Sequence, residues 1–146
     1  MASFLTGFAT FGSTPLLEKF VAFTEARHRV LVENVANIDT PGYRTRQVDA
    51  SAFQTELKRA ATDRRRPDAQ LKLRDSSTWR VDDHGALRLT PKLEPAENTL
   101  LHDGTNTRLE RQMSLLAENG MAHQAAVTML KNKYDGLMTA IRGRTT

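Results

Sequence analysis

The spacing of apolar residues is most regular in the last third of the chain. Between Leu109 and Ile141, ten positions follow one another at alternating intervals of four and three residues, and all but Gly120 and His123 are apolar, which is the heptad pattern of a coiled-coil helix. The predicted seam consists of Leu109, Met113, Leu116, Val127, Leu130, Tyr134, Leu137 and Ile141. Thr107 and Glu110 form a capping box at its start. The pattern predicts a C-terminal coiled-coil helix over residues 106–146.

A second helical pattern lies in the N-terminal part of the chain. The segment 2–11 is apolar and is typical of a short amphipathic helix or an apolar arm; its large side chains are Phe4, Leu5, Phe8 and Phe11. A longer amphipathic pattern runs from about residue 15 to residue 37. This helix should end before Pro41, because a residue that precedes proline disfavours the helical conformation. Pro41 and Gly42 then favour the two central positions of a type II turn.

The stretch from residue 44 to residue 105 keeps neither pattern for long. A short helix is indicated by Phe53, Leu57 and Ala60. Short strands are indicated at residues 71–73, 79–81 and 86–89. Asp83, His84 and Gly85 favour a turn between the last two of these strands. We therefore expect a small, partly ordered region that includes a β-hairpin.

Together these patterns predict a mainly α fold in which long N- and C-terminal helices form an elongated coiled-coil pair, with a small irregular or β-hairpin region between them. The chain divides into an N-terminal helical arm with its turn at 1–43, a middle region at 44–105 and the C-terminal helix at 106–146. The C-terminal helix would be about 54 Å long and the N-terminal one about 35 Å. The shorter helix covers only part of the seam, so we expect other chains to cover the rest.

Composition and charge limit the remaining possibilities. Hydrophobic residues make up 39% of the chain and aromatic residues 6%, which is little material for a large independent core. The formal net charge is +4, and basic residues outnumber acidic ones between Arg44 and Lys92. This segment leaves open a second class, a protein that binds nucleic acid or an anionic surface. Because both signs are interspersed there, a solvated segment explains the charge at least as well.

Residues suited to catalysis or metal binding form no recognisable constellation. The serines lack a Gly-x-Ser-x-Gly elbow, and the histidines lack an HExxH motif. His123 lies on the seam, where a polar residue more often sets helix register than binds a metal. There is no cysteine, so disulfides and thiolate sites are excluded. We predict no enzyme, no cofactor and no metal; a hydrolase would need a constellation that these residues do not form. The N-terminus is a poor match to a cleavable signal peptide, so we expect none, and no apolar run is long enough for a membrane span.

The most specific motif closes the N-terminal helix. It consists of Asn34, Asn37, Thr40, Pro41, Gly42 and Tyr43, followed by Arg44. This run resembles the N-terminal signature of the flagellar rod, hook and hook-associated proteins. The segment from Asp103 to Met113, ahead of the C-terminal helix, is similar to the family as well. The small middle region favours the small proximal rod proteins of the family over the hook and distal rod proteins.

The resemblance implies a structural subunit of the flagellar basal body that assembles helically through its terminal helices. It also implies export by the flagellar type III apparatus without a cleavable signal peptide, and a place in the periplasmic rod. The implied partners are further copies of the chain, the rod proteins FlgC and FlgF, FliE, the MS-ring protein FliF and the export apparatus. In the motif, it implies packing and hydrogen-bonding roles for Asn34, Asn37 and Tyr43.

Overall fold

A computed structural model describes residues 14–63, 71–82, 84–94 and 104–143, with residues 104–108 described by their backbone alone. In chain order these residues form α1 (Thr14–Ala36), β1 (Arg46–Gln47), α2 (Ala50–Asp63), β2 (Trp79–Val81), β3 (Leu87–Leu89), β4 (Lys92–Leu93) and α3 (Gly104–Ile141). The prediction of a mainly helical chain with long terminal helices is confirmed. The apolar segment 2–11 and the side chain of Thr107, which the sequence assigned to an arm and a helix cap, lie outside the described residues.

The two long helices, α1 and α3, pack against each other in antiparallel directions. Thr24 on α1 contacts Asn119 and His123 on α3, whereas Asn34, nearer the end of α1, contacts Gln112, nearer the start of α3. With 38 residues, α3 is about 57 Å long, whereas the 23 residues of α1 span about 35 Å. The longer helix therefore extends past the described part of its partner.

A compact aromatic core joins the middle region to α1. The rings of Phe23 and Phe53 stack with their centroids 3.9 Å apart, and Trp79 meets Phe53 edge-on at 5.4 Å. All three side chains are buried. The predicted short helix is confirmed as α2, whose buried residues are Phe53, Leu57 and Ala60. Asp49 caps its first turn by accepting a hydrogen bond from the Ala52 amide at 2.8 Å.

The predicted hairpin is present as β2 and β3, an antiparallel pair in which Trp79 faces Leu89 and Val81 faces Leu87. Gly85 supplies a positive φ of 79° in the connecting turn, and the Asp82 carboxylate accepts hydrogen bonds from the amides of His84 and Ala86. The third candidate strand, at 71–73, is wrong: these residues form no strand. Leu71 and Leu73 instead pack irregularly against the core.

A second two-stranded sheet was not predicted. It pairs β1 with β4, so that Arg46 faces Leu93 and Gln47 faces Lys92. Each strand has only two residues, which is too short for an alternating pattern to be visible in the sequence. The pairing brings Glu94 next to Thr45, because the Glu94 amide donates to the Thr45 carbonyl oxygen at 2.8 Å.

Glu56 fastens α2 to the segment that leads into the hairpin. Its carboxylate accepts hydrogen bonds from the Arg59 guanidinium at 2.5 Å and from the Arg74 amide at 2.6 Å. The hydrogen bond from Arg59 is the main cause that lowers the pKa of Glu56 below its ordinary value of 4.5, and the bond from Arg74 acts in the same direction.

We predict that Glu56→Gln lowers the free energy of unfolding by about 1 kcal/mol at pH 7. A carboxyl group whose folded pKa is depressed stabilises the fold above its unfolded pKa and loses that contribution as the pH falls through the folded value. The difference between wild type and variant should therefore shrink below pH 4.5 in urea unfolding experiments. Asp63→Asn, which removes an exposed partner of Arg59, serves as the control and should cost little at either pH. A pH-independent difference for Glu56→Gln would contradict the prediction.

Candidate functional site

Asn34 is the centre of the motif at the end of α1, which we call the helix-end motif and which comprises Asn34, Asn37, Thr40, Pro41, Gly42 and Tyr43. It lies in the last turn of α1 with its side chain fully buried. Its amide group donates to the Arg46 carbonyl oxygen at 2.6 Å and to Gln112 Oε1 at 3.1 Å. Its Oδ1 accepts from the Arg46 amide at 2.9 Å and from the Tyr43 hydroxyl at 3.1 Å. Asn34 thus uses both donors and both acceptor positions of its amide to join α1, the returning chain and α3.

The turn after α1 brings the chain back to Asn34. The Tyr43 amide donates to the Thr40 carbonyl oxygen at 3.0 Å, and Gly42 has a φ of 78°, which is the geometry of a type II turn. The predicted turn is therefore confirmed. Thr40, Pro41 and Gly42 are exposed at its tip. Burial raises the pKa of Tyr43; Glu33 reinforces the increase and Arg46 opposes it.

Asn37 has a different environment from Asn34. Its side chain donates to the Glu33 carbonyl oxygen at 2.9 Å, and its backbone amide donates to the same oxygen at 3.1 Å. Both contacts are local, and they satisfy a carbonyl group at the end of α1. The structure therefore brings Asn34 and Tyr43 together in one network, whereas Asn37 closes the helix beside it.

The network continues through two residues that the sequence patterns did not indicate. Gln112, which is buried, donates from Nε2 to Glu94 Oε2 at 3.4 Å. The same carboxylate accepts from Thr45 Oγ1 at 2.7 Å and pairs with Arg111 at 2.8 Å. Gln112 lies one residue before the predicted seam position Met113, and its polarity hides it from a search for apolar periodicity. A polar residue recurring beside a heptad seam is the signal that would have found it.

A second polar cluster lies farther along the same pair of helices. Asn119 Nδ2 donates to the Thr24 carbonyl oxygen at 2.8 Å, and the Thr24 hydroxyl lies 2.9 Å from His123 Nδ1. Asn119 Oδ1 is buried without a hydrogen-bond partner among the described residues. Burial lowers the pKa of Arg27 in this interface, and the nearby charge of Glu118 partly counteracts that effect. Polar contacts of this kind set the register of paired helices.

The predicted seam follows only part of the surface through which α3 contacts α1. The buried residues of α3 are Gln112, Asn119 and Ala126, each one position before Met113, Gly120 and Val127. The seam residues that are half-buried are Leu109, Leu116 and Leu130. Those that are exposed are Met113, Val127, Tyr134, Leu137 and Ile141, with exposed fractions from 36% at Val127 to 78% at Ile141. Helix α3 therefore has two adjacent faces, one packed on α1 and one apolar and exposed.

The described part of the chain gives no sign of a metal centre or a membrane helix. Within it, no group of three or more His, Asp or Glu residues is placed to hold a metal ion. None of its helices is apolar over a length that would cross a bilayer.

Comparison with known proteins points to one class. The chain is similar to flagellar basal body rod proteins of several bacteria. It is 29% identical over 119 residues to the protein of Escherichia coli K12, covering 80% of this chain and 83% of that protein. It is 26% identical over 128 residues to the protein of Proteus mirabilis, covering 86% of this chain and 90% of that protein. It is 24% identical over 132 residues to the protein of Bacillus subtilis, covering 90% of this chain and 95% of that protein.

All three relatives are the same particular rod protein. Each of the three is the flagellar basal body rod protein FlgB. The resemblance to the flagellar rod and hook family that the motif predicted is therefore confirmed, and within that family the similarity is to FlgB. No family model matches the chain, and no solved structure does.

Proposed function

We propose that this chain is a structural subunit of the proximal rod of the bacterial flagellar basal body, and that it assembles helically through its terminal helices to help transmit motor torque. The observation that carries the proposal is the exposed apolar face of α3, from Met113 to Ile141, on a helix about 57 Å long. The similarity to FlgB proteins supports the same role. A small rod protein of the FlgC type is the alternative within the class.

The size of the exposed face favours contacts with several neighbours over a simple dimer. Full burial of one large apolar side chain contributes about 1.5–3 kcal/mol, so completing the burial of five half-exposed ones contributes on the order of 4–8 kcal/mol. Association of two proteins costs an estimated 4–15 kcal/mol in lost freedom. One such contact is therefore marginal by itself. A head-to-tail array, in which each subunit has several neighbours, adds the contacts that stability needs and forms an open helix.

The helix-end motif has two parts that suit this role differently. Asn34 and Tyr43 act within the chain, where they hold α1, β1 and α3 in one arrangement. Thr40 and Pro41 lie exposed at the tip of the turn and are available to a neighbouring subunit. The partners we propose are further copies of this chain, FlgC, FlgF, FliE and the MS-ring protein FliF, reached in the periplasm after passage through the flagellar export apparatus.

A pair of charge-matched variants tests the proposal. Val127→Asp with Leu137→Asp places two carboxylates on the exposed apolar face. Gln124→Asp with Asn132→Asp adds the same charge at exposed polar positions of α3. Each gene replaces the native one in its own bacterium, and swimming and the recovery of rods in isolated basal bodies are measured.

We expect the apolar-face variant to abolish rods and swimming while its helix content and melting temperature stay close to wild type, because burying a charge in a subunit interface is strongly unfavourable. The polar-face variant should swim. If the apolar-face variant assembles rods as well as the polar-face variant does, the proposed use of this face is wrong.

A further inference from the structure

The outer face of the β2–β3 hairpin carries two arginines directly opposite each other, which we call the arginine pair. Arg80 of β2 faces Arg88 of β3 in the antiparallel register, and both are exposed. The residues that alternate with them, Trp79, Leu87 and Leu89, belong to the core or pack against it. Because side chains alternate between the two faces of a strand, the arginine pair points away from the core. Opposite side chains on one face have Cβ atoms about 4.5–5.5 Å apart.

The positive charge of the arginine pair is weakly compensated within the chain. The Arg88 guanidinium lies 3.8 Å from the Asp82 carboxylate, and the Arg88 side chain is 80% exposed. Among the residues that the structure describes, Arg80 has no ion pair and no side-chain hydrogen bond. Like charges directly opposite each other in a sheet are destabilising. A carboxylate placed between the two guanidiniums would relieve this repulsion, since its two oxygens can accept hydrogen bonds from both.

An exposed carboxylate of this kind lies at the tip of the turn that follows α1. Asp39 is exposed there beside Thr40 and Pro41. No hydrogen bond or ion pair joins its carboxylate to any other residue in the described part of the chain. A side chain on a protruding turn can enter a shallow site on another molecule without moving a helix. The chain therefore has one uncompensated acidic tip and one uncompensated basic sheet face.

These two charged surfaces lie too far apart to meet within one chain. At one end of the hairpin, Lys19 near the start of α1 donates to the Gly85 carbonyl oxygen. The other end joins the aromatic core at Phe23. From Phe23 to the end of α1 at Ala36, the thirteen intervening steps rise about 20 Å. Asp39 lies beyond that end, so its carboxylate can reach an arginine pair only in a second molecule.

We propose that in the assembled rod the Asp39 carboxylate of one subunit lies between Arg80 and Arg88 of a neighbouring copy of this chain. This contact rests on the proposed function, because it names one of the contacts through which subunits assemble. A copy of the same chain supplies both charges in equal number. The tip and the arginine pair are different surfaces, so the contact is head-to-tail and does not close into a two-fold dimer. Charged contacts of this kind fix orientation and partner choice, which the apolar face of α3 does not specify.

Crosslinking within the rod tests the contact, since the native chain contains no cysteine. Thr40→Cys, beside Asp39, is combined with Thr90→Cys, which is exposed and lies two residues from Arg88 on the same face of the hairpin. The control combines Thr40→Cys with Thr62→Cys, which is exposed in α2. Each gene replaces the native one, and isolated basal bodies are treated with a short bismaleimide. Linked species are measured by denaturing electrophoresis and mass spectrometry.

We expect linked copies of the chain to be at least fivefold more abundant with Thr90→Cys than with Thr62→Cys. Equal yields would overturn the proposal. Linkage of Thr40→Cys mainly to a different rod protein would overturn it as well, because the tip would then belong to another partner.

Charge reversal tests the same contact without cysteines. Asp39→Arg alone, or Arg80→Asp with Arg88→Asp, should reduce rods and swimming about tenfold, because each places like charges in the contact. The three substitutions together restore opposite charges and should recover most of the swimming. The matched control joins Asp39→Arg to Lys72→Asp and Lys92→Asp at two exposed positions. It has the same net charge as the triple variant and should swim as poorly as Asp39→Arg.

The outcomes separate this contact from the proposed function. Arg80→Asp with Arg88→Asp keeps two like charges opposite each other, so the melting temperature should stay close to that of the wild type. Full swimming of both reversed variants would overturn the proposal, as would equal swimming of the triple variant and its control. If the wild-type chain is recovered in rods in either of these cases, the contact is wrong and the proposed function stands. If the wild-type chain is absent from isolated rods, the proposed function is wrong and the contact falls with it.

Discussion

Asn34→Ala should lower the free energy of unfolding by about 3–4 kcal/mol, the largest expected effect of any substitution in the helix-end motif. Removing the amide deprives the Arg46 backbone, the Tyr43 hydroxyl and Gln112 of their common partner. Gln112 is buried, so water does not readily replace the lost bond. A buried polar group left without a partner costs roughly 1–3 kcal/mol, and the missing side chain leaves a cavity as well.

Urea unfolding of the purified monomer measures this effect, with Asn37→Ala as the matched control. Asn37 belongs to the same motif and is the same residue type, but its side chain makes one local hydrogen bond to Glu33 at the end of α1. We expect the control to cost about 1 kcal/mol or less. Similar losses for the two variants would show that the four bonds of Asn34 do not act as described. The comparison separates what the two asparagines do inside the subunit from any part they play between subunits.

The helix-end motif was predictable where backbone geometry dictates the residue. Gly42 supplies the positive φ of a type II turn, and Pro41 supplies the fixed φ before it, so the turn follows from residue identity. The hairpin was predictable for a similar reason, because Gly85 occupies a positive-φ position between two short alternating segments. In both cases a local steric rule acts over a few residues and does not depend on the rest of the fold.

The partners of Asn34 were not predictable from the same reasoning. Gln112 follows it by 78 positions in the chain, and Glu94 joins the network only because β4 pairs with β1. Polar residues buried by long-range packing leave no periodic trace. The orientation of α3 about its own axis was not predictable for the same reason. Periodicity shows that the helix has an apolar stripe, but it does not show which part of the protein packs against that stripe. Here α1 buries the line of Gln112, Asn119 and Ala126, and five of the larger seam residues beside it remain exposed.

This division of α3 gives a physical reason for polar contacts inside the subunit. If α1 were held mainly by large apolar side chains of α3, those residues would be unavailable to other chains. The bonds of Asn34 with Gln112 and of Asn119 with the Thr24 backbone fix one register without using that apolar surface. Register specification by buried polar groups is their best attested role in paired helices. The described apolar core is gathered around Phe23, Phe53 and Trp79, and the buried residue that α3 contributes to it is the small Ala126.

Phe53→Ala should have an effect of similar size, about 3–5 kcal/mol, which is the range for deleting a fully buried phenyl ring. Its ring lies between Phe23 of α1 and Trp79 of β2, so it connects the long helix to the hairpin. Phe53→Leu keeps most of the apolar volume and should cost about 1–1.5 kcal/mol in the same urea unfolding experiment. Equal losses for the two variants would mean that the stacked ring is not what secures the middle region.

The part of the molecule that Phe53→Ala destabilises is as informative as the size of the loss in unfolding free energy. The bonds that join α1 to α3 at Asn34 and Asn119 do not involve Phe53, so the two contacts should weaken separately. Native-state hydrogen exchange of Phe53→Ala should therefore rise most in α2 and in the β2–β3 hairpin, with a smaller rise at residues 116–126 of α3. A uniform rise would show that the middle region and the helix pair unfold as one unit. The expected pattern would leave a helix pair whose exposed apolar face keeps its geometry when the middle region loosens.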